Sequence, residues 1–115
     1  MIQIIYNRAI PSVTMEGHAG SGEKGHDLVC AAVSVLTYML ASIVEGAERG
    51  TQIQSAIAEL NDGEALISCE PIGNYSYPIK LIFDTICTGF DILAEEYPDN
   101  VSYELIDEDK KGATL

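Results

Sequence analysis

Gln52-Ile53-Gln54-Ser55-Ala56-Ile57-Ala58-Glu59-Leu60, then Asn61-Asp62-Gly63, then Glu64-Ala65-Leu66-Ile67-Ser68-Cys69-Glu70, is the stretch that decides the fold. Two runs of strand composition flank a tripeptide that is a strong turn signal, so the segment reads as a β-hairpin. Helical patterns lie on either side of it. On the C-terminal side, Pro78 occupies an expected first helical position, and Ile79, Phe83, Ile86, Phe90, Leu93 and Tyr97 recur every three or four residues. That apolar stripe stops at Pro98, and Val101 to Ile106 follows as a last strand.

On the N-terminal side, Leu28 to Val44 carries no charged side chain. The stretch is shorter than the ~20 residues of a spanning helix, and Ser34, Thr37 and Ser42 interrupt it, so it is expected to be a buried core helix and not a membrane segment. Asp27 suits the N-cap, and the helix should run from about Leu28 to Glu48 before Gly50 ends it. Gly17-His18-Ala19-Gly20-Ser21-Gly22-Glu23-Lys24-Gly25 holds four glycines in nine residues. It reads as a flexible loop hinged on Gly20, Gly22 and Gly25. Ile2 to Asn7 and Ser12 to Gly17 are two short strands turned about Pro11. The order is β-β-α-β-β-α-β, an α+β fold whose mainly antiparallel sheet carries two helices on one face. Residues 1–106 form one domain, and 107–115 a charged, flexible C-terminal tail.

The chain has 115 residues, with 18 acidic against 6 basic side chains and a net charge of −12. Such a surface disfavours nucleic acid and anionic membranes, because it offers no cations to displace counterions. It favours a basic partner, through an attraction that salt weakens. Cys30, Cys69 and Cys87 are odd in number and widely spaced, and the first residues lack the pattern of an export signal. Both features fit a reducing, cytoplasmic setting.

Chemistry gathers between Gly17 and Ser34, where both histidines, one cysteine and one aspartate fall. With Asp27 as the cap, Cys30 lies in the first helical turn, where free N–H groups and the helix dipole favour thiolate over thiol. The same N–H groups can hold an oxyanion. His18, at the end of the second strand, can take the thiol proton and return it to a leaving amine. His26 cannot be ranked against His18 by chemistry alone. Asp27 can orient a histidine or simply cap the helix, and Ser34 shares the helical face of Cys30. A free cysteine in an apolar helix is more often core packing than nucleophile, and Cys69 and Cys87 read as buried filler. His18, His26 and Cys30 match no zinc spacing, so no metal is assigned. Gly20-Ser21-Gly22 continues into no phosphate-loop motif.

Gly17-His18-Ala19, a glycine-bearing loop, and Gly25-His26-Asp27-Leu28-Val29-Cys30-Ala31-Ala32-Val33-Ser34 together resemble the signature of the ribosomal-processing cysteine proteases (Prp). Glu95-Glu96-Tyr97 before the last strand extends the likeness. The resemblance implies a cysteine endopeptidase that removes the N-terminal extension of large-subunit ribosomal protein twenty-seven, cutting after a hydrophobic-aromatic stretch and before a small residue. It implies Cys30 as nucleophile and His18 as base, with Asp27 and Ser34 assisting the histidine or lining the substrate site. It further implies a homodimer that needs no cofactor. The alternatives are a non-catalytic module gripping a basic ribosomal tail and a related protease acting on a phage structural protein.

Overall fold

The computed structural model describes residues 1–18 and 24–107, and of 24–27 the backbone course alone. Gly20, Gly22 and the tail from residue 108 onward therefore lie outside the described residues. The elements are β1 (Ile2–Asn7), β2 (Ser12–Glu16), α1 (Lys24–Arg49), β3 (Ile53–Asn61), β4 (Glu64–Pro71), α2 (Ser76–Glu96) and β5 (Val101–Ile106). This is the expected α+β order.

One five-stranded sheet runs β3-β4-β2-β1-β5. Three ladders are antiparallel, and β1 with β5 is parallel because α2 carries the chain back across the sheet. A bulge between Gln54 and Ile57, with Ser55 at φ 53°, bends the edge strand β3.

Strand periodicity sends Ile2, Ile4 and Tyr6 of β1, Val13 and Met15 of β2, and Ile67 and Cys69 of β4 into one core. Both helices cover that face, while Ile5, Thr14 and Glu16 on the other face are exposed. From α2 come Ile79, Phe83, Ile86, Cys87 and Phe90, all buried. Its first residue is Ser76, so Pro78 sits two residues inside the helix, still among the first-turn positions whose N–H groups have no intrahelical partner. Gly89 lets the helices close: a Cβ there would stand 2.8 Å from Leu36 Cδ1.

Two expectations for α1 change. The helix begins at Lys24, so Asp27 falls within the first turn and not at the cap, and Cys30 is the seventh helical residue. A cap preference is worth about 1 kcal/mol, which one more turn of backbone hydrogen bonds outweighs. The helix is also not buried all round. Leu28–Arg49 is long and apolar enough to cross a bilayer by length and composition. In this fold Val29, Val33, Leu40 and Val44 pack into the core, whereas Leu28 (74% exposed), Val35, Tyr38 and Met39 face outward.

The buried Tyr6 hydroxyl of β1 donates to Asp84 Oδ1 of α2 at 2.8 Å, and Arg8 Nε donates to the same carboxylate at 3.0 Å. Burial, and next the hydrogen bond to Asp84, raise the Tyr6 phenol well above its ordinary range. Asp84→Ala should cost about 1–3 kcal/mol, because it leaves a buried hydroxyl without its acceptor. Tyr6→Phe should cost about 1 kcal/mol, since Asp84 keeps Arg8. Urea unfolding of the two variants checks the order; a larger loss for Tyr6→Phe would contradict it.

Candidate active site

The end of β2, the second turn of α1 and the tip of the β3–β4 hairpin enclose a cleft of about 420 Å³. Strand pairing brings the three together. Glu16 is opposite Glu64 in the β2–β4 ladder, so the hairpin turn projects beside the residues that follow Glu16. Gly17 N–H then donates to the Gly63 carbonyl at 2.8 Å. Both glycines need their backbones: Gly17 has φ 105° and Gly63 φ 81°, a region disfavoured for residues with a Cβ.

His18 is exposed at the mouth of the cleft, and its ring lies over Gly63. Cys30 is half-buried, packed against the core on one side and lining the cleft on the other. Ser34, one turn further along α1, lines the same wall with Tyr38. The floor is apolar, from Ile2, Met15 and Val33. Its polar atom Thr37 Oγ1 donates to the Val33 carbonyl at 2.7 Å and also approaches Met15 Sδ. Glu16, Asp62 and Glu64 contribute carboxylates, and no lysine or arginine is among the described lining residues. The electrostatic character is therefore acidic around an apolar floor.

Of the sequence-predicted residues, His18, Cys30 and Ser34 meet here. Gly25 and Asp27 lie in the first turn of α1, where only the backbone is described. The free N–H groups of the helix belong to residues 24–27, so they lie ahead of Cys30, whose position is inside the hydrogen-bonded helix. A helix-end oxyanion site centred on Cys30 is thereby moved a turn away from where the sequence placed it. Sequence reasoning missed Tyr38 and the hairpin tip. Asn61-Asp62-Gly63 was legible as a turn, yet its approach to His18 depends on β4 pairing with β2. Among the described residues, no three His, Cys, Asp or Glu side chains are grouped as metal ligands would be.

The model of a family described as cysteine protease Prp matches residues 1–102. The chain is 27% identical to the ribosomal processing cysteine protease Prp of Staphylococcus aureus, over 80% of its own length and 83% of the relative's. A crystal structure of a Streptococcus mutans protein is similar at 32% identity and a TM-score of 0.67, covering 94% of this chain and 96% of that one. The S. aureus protease bound to a covalently linked product peptide is similar at 27% identity and a TM-score of 0.68, covering 90% and 96%.

The three thiols differ sharply in environment. Cys69 and Cys87 are 3% and 1% exposed, and burial pushes them up to about 11 and about 12. At pH 7.5 iodoacetamide should therefore label Cys30 alone in the native protein and all three thiols in urea, as peptide mass mapping will show. Early labelling of Cys69 or Cys87 would contradict this arrangement. The same burial makes stability pH-dependent. Once unfolded, these thiols ionise near their ordinary 9.0, while the native ones stay protonated, so the unfolded state binds fewer protons above that pH. The urea midpoint should fall as pH rises from 9 toward 11, and a flat profile would argue against buried neutral thiols.

Proposed function

The chain belongs to the cysteine protease Prp family, and from that premise we propose that it is the endopeptidase that removes the N-terminal extension of large-subunit ribosomal protein twenty-seven. The observation that carries the reading is the convergence of Cys30 and His18, twelve positions apart in sequence, on one cleft. A substrate-bound S. aureus Prp structure, 26% identical with a TM-score of 0.65, supports a peptide as the ligand of such a cleft.

In this mechanism Cys30 Sγ attacks the scissile carbonyl carbon while His18 accepts the thiol proton. The tetrahedral intermediate collapses as His18 passes that proton to the leaving amine, which departs as the new N-terminus. The thioester left on Cys30 is then opened by water, with His18 again taking a proton and returning it to sulfur. No cofactor is required. Ser34 lines the substrate site beside Cys30. Asp27, in the first turn of α1, either assists the histidine or lines the substrate site. The apolar floor suits the hydrophobic-aromatic residues before the cut. Glu16, Asp62 and Glu64 suit a substrate whose body is basic, and a net charge of −12 draws it in from a distance.

The working form is a homodimer in the cytoplasm. Two copies with twelve excess negative charges each meet with least repulsion on an uncharged surface. The outward stripe Leu28, Ala31, Val35, Met39 and Ser42 of α1 is the surface of that kind, and it lies in the stretch free of charged side chains. Val35→Glu should shift the protein to a monomer in sedimentation velocity without lowering its melting temperature much, because the residue is 58% exposed. An unchanged dimer would place the interface elsewhere.

Cleavage of a precursor peptide spanning the extension junction tests the chemistry. Cys30→Ala should abolish turnover with the fold intact, and His18→Ala should remove all but a trace. His26→Ala should keep a measurable part. A fully active His18→Ala, or a loss confined to His26→Ala, would overturn the choice of base.

A further inference from the structure

We infer that Gly63, at the tip of the β3–β4 hairpin, is a positioning residue that seats the His18 imidazole in the active-site cleft. The inference deepens the reading above and rests on His18 being the base.

Three observations converge on it. A Cβ built on Gly63 would stand 2.9 Å from His18 Nε2 and 3.4 Å from Cε1, so the ring lies directly on the face of the glycine. No room remains for even a methyl group unless the ring moves. Gly17 N–H is bonded to the Gly63 carbonyl at 2.8 Å, which ties the turn to the residue preceding His18. A Cβ on Gly17 would in turn strike the Met1 carbonyl, so the backbone leading into His18 is held between β1 and the hairpin turn. The imidazole thus has a seat made of backbone, which does not adjust its rotamer as a side chain would.

His18 is exposed, and the atom a new Cβ would meet is at the far end of its side chain. When that space is filled, the ring will swing outward and the backbone will stay. Such a change leaves the protein folded and moves the base. Proton transfer needs hydrogen-bond reach, and a displacement of about 1 Å at a reacting group can lower turnover on the order of 100-fold.

A second property of Gly63 must be separated from this one. Its φ of 81° disfavours any residue with a Cβ, whatever the ring does. Asparagine tolerates that conformation better than alanine while still adding the Cβ. Gly73 supplies the converse control: its φ is 56°, and a Cβ there would meet nothing within 4 Å.

The test is peptide cleavage under single-turnover conditions, with melting temperatures, for Gly63→Asn, Gly63→Ala, Gly73→Ala, His18→Ala and the double variant of His18→Ala with Gly63→Asn. We expect Gly63→Asn to lose on the order of 100-fold in kcat with KM little changed. Gly63→Ala should lose as much activity and more thermal stability. Gly73→Ala should lose stability with activity retained. In the His18→Ala background, Gly63→Asn should cause no further loss, because its effect passes through the ring that is no longer there. Near-normal turnover in Gly63→Asn, or a loss that adds in full to that of His18→Ala, would overturn the positioning role and leave His18 as base. Near-normal turnover in His18→Ala would instead overturn the catalytic reading itself.

Discussion

The pairing of β2 with β4 is the constraint on which the site depends. Placing Glu16 opposite Glu64 sets the hairpin turn level with the chain leaving β2, and the Gly17–Gly63 hydrogen bond secures it there. One residue of slip would turn either Val13 and Met15 or Ile67 and Cys69 out of the core. The register is therefore held by the burial of four side chains, and the geometry at His18 follows from it. A functional arrangement that inherits its precision from the hydrophobic core needs few contacts of its own.

Helix α1 serves three environments at once. Val29, Val33, Leu40 and Val44 face the sheet and α2. About a quarter-turn around the helix, Cys30, Ser34 and Tyr38 form one wall of the cleft. Leu28, Val35 and Met39 occupy the remaining apolar sector and stay open. An uncharged helix with only one buried sector leaves apolar area in water, which is why a second surface is expected to cover it. Cys30 sits at the seam between core and solvent, partly exposed on a helix whose other face is packed into the core. The other two thiols, Cys69 and Cys87, are buried, and that burial favours their protonated form.

Charge works at longer range. The cleft's carboxylates belong to a surface that is acidic overall, so they concentrate basic chains nearby without having to contact any one of them. Salt at physiological strength screens that attraction beyond about 8 Å. Under the proposed reading, selection of the bond to be cut therefore falls to the apolar floor and to the groups around Cys30. Attraction by the surface and discrimination by the cleft are separate properties of the same protein.

Much of this was legible in the residues alone. Asn61-Asp62-Gly63 announces a hairpin because few backbones other than a turn accommodate it, and the period of Ile79, Phe83, Ile86 and Phe90 announces α2. Both are local effects, and local physics is what a sequence displays. The Gly-His and Asp-Leu-Val-Cys segments point to His18 and Cys30 through a resemblance and not through spacing, and the structure places both residues on one cleft. The start of α1 departs from the cap at Asp27 because the helix gains further backbone hydrogen bonds by beginning at Lys24. The approach of the hairpin tip to His18, the third wall of the cleft and the open sector of α1 could not be read at all. Each depends on which strands pair and on what packs against what, and such pairings join residues that are dozens of positions apart. Their free energies come from burial shared among many side chains, so no single stretch of sequence contains them.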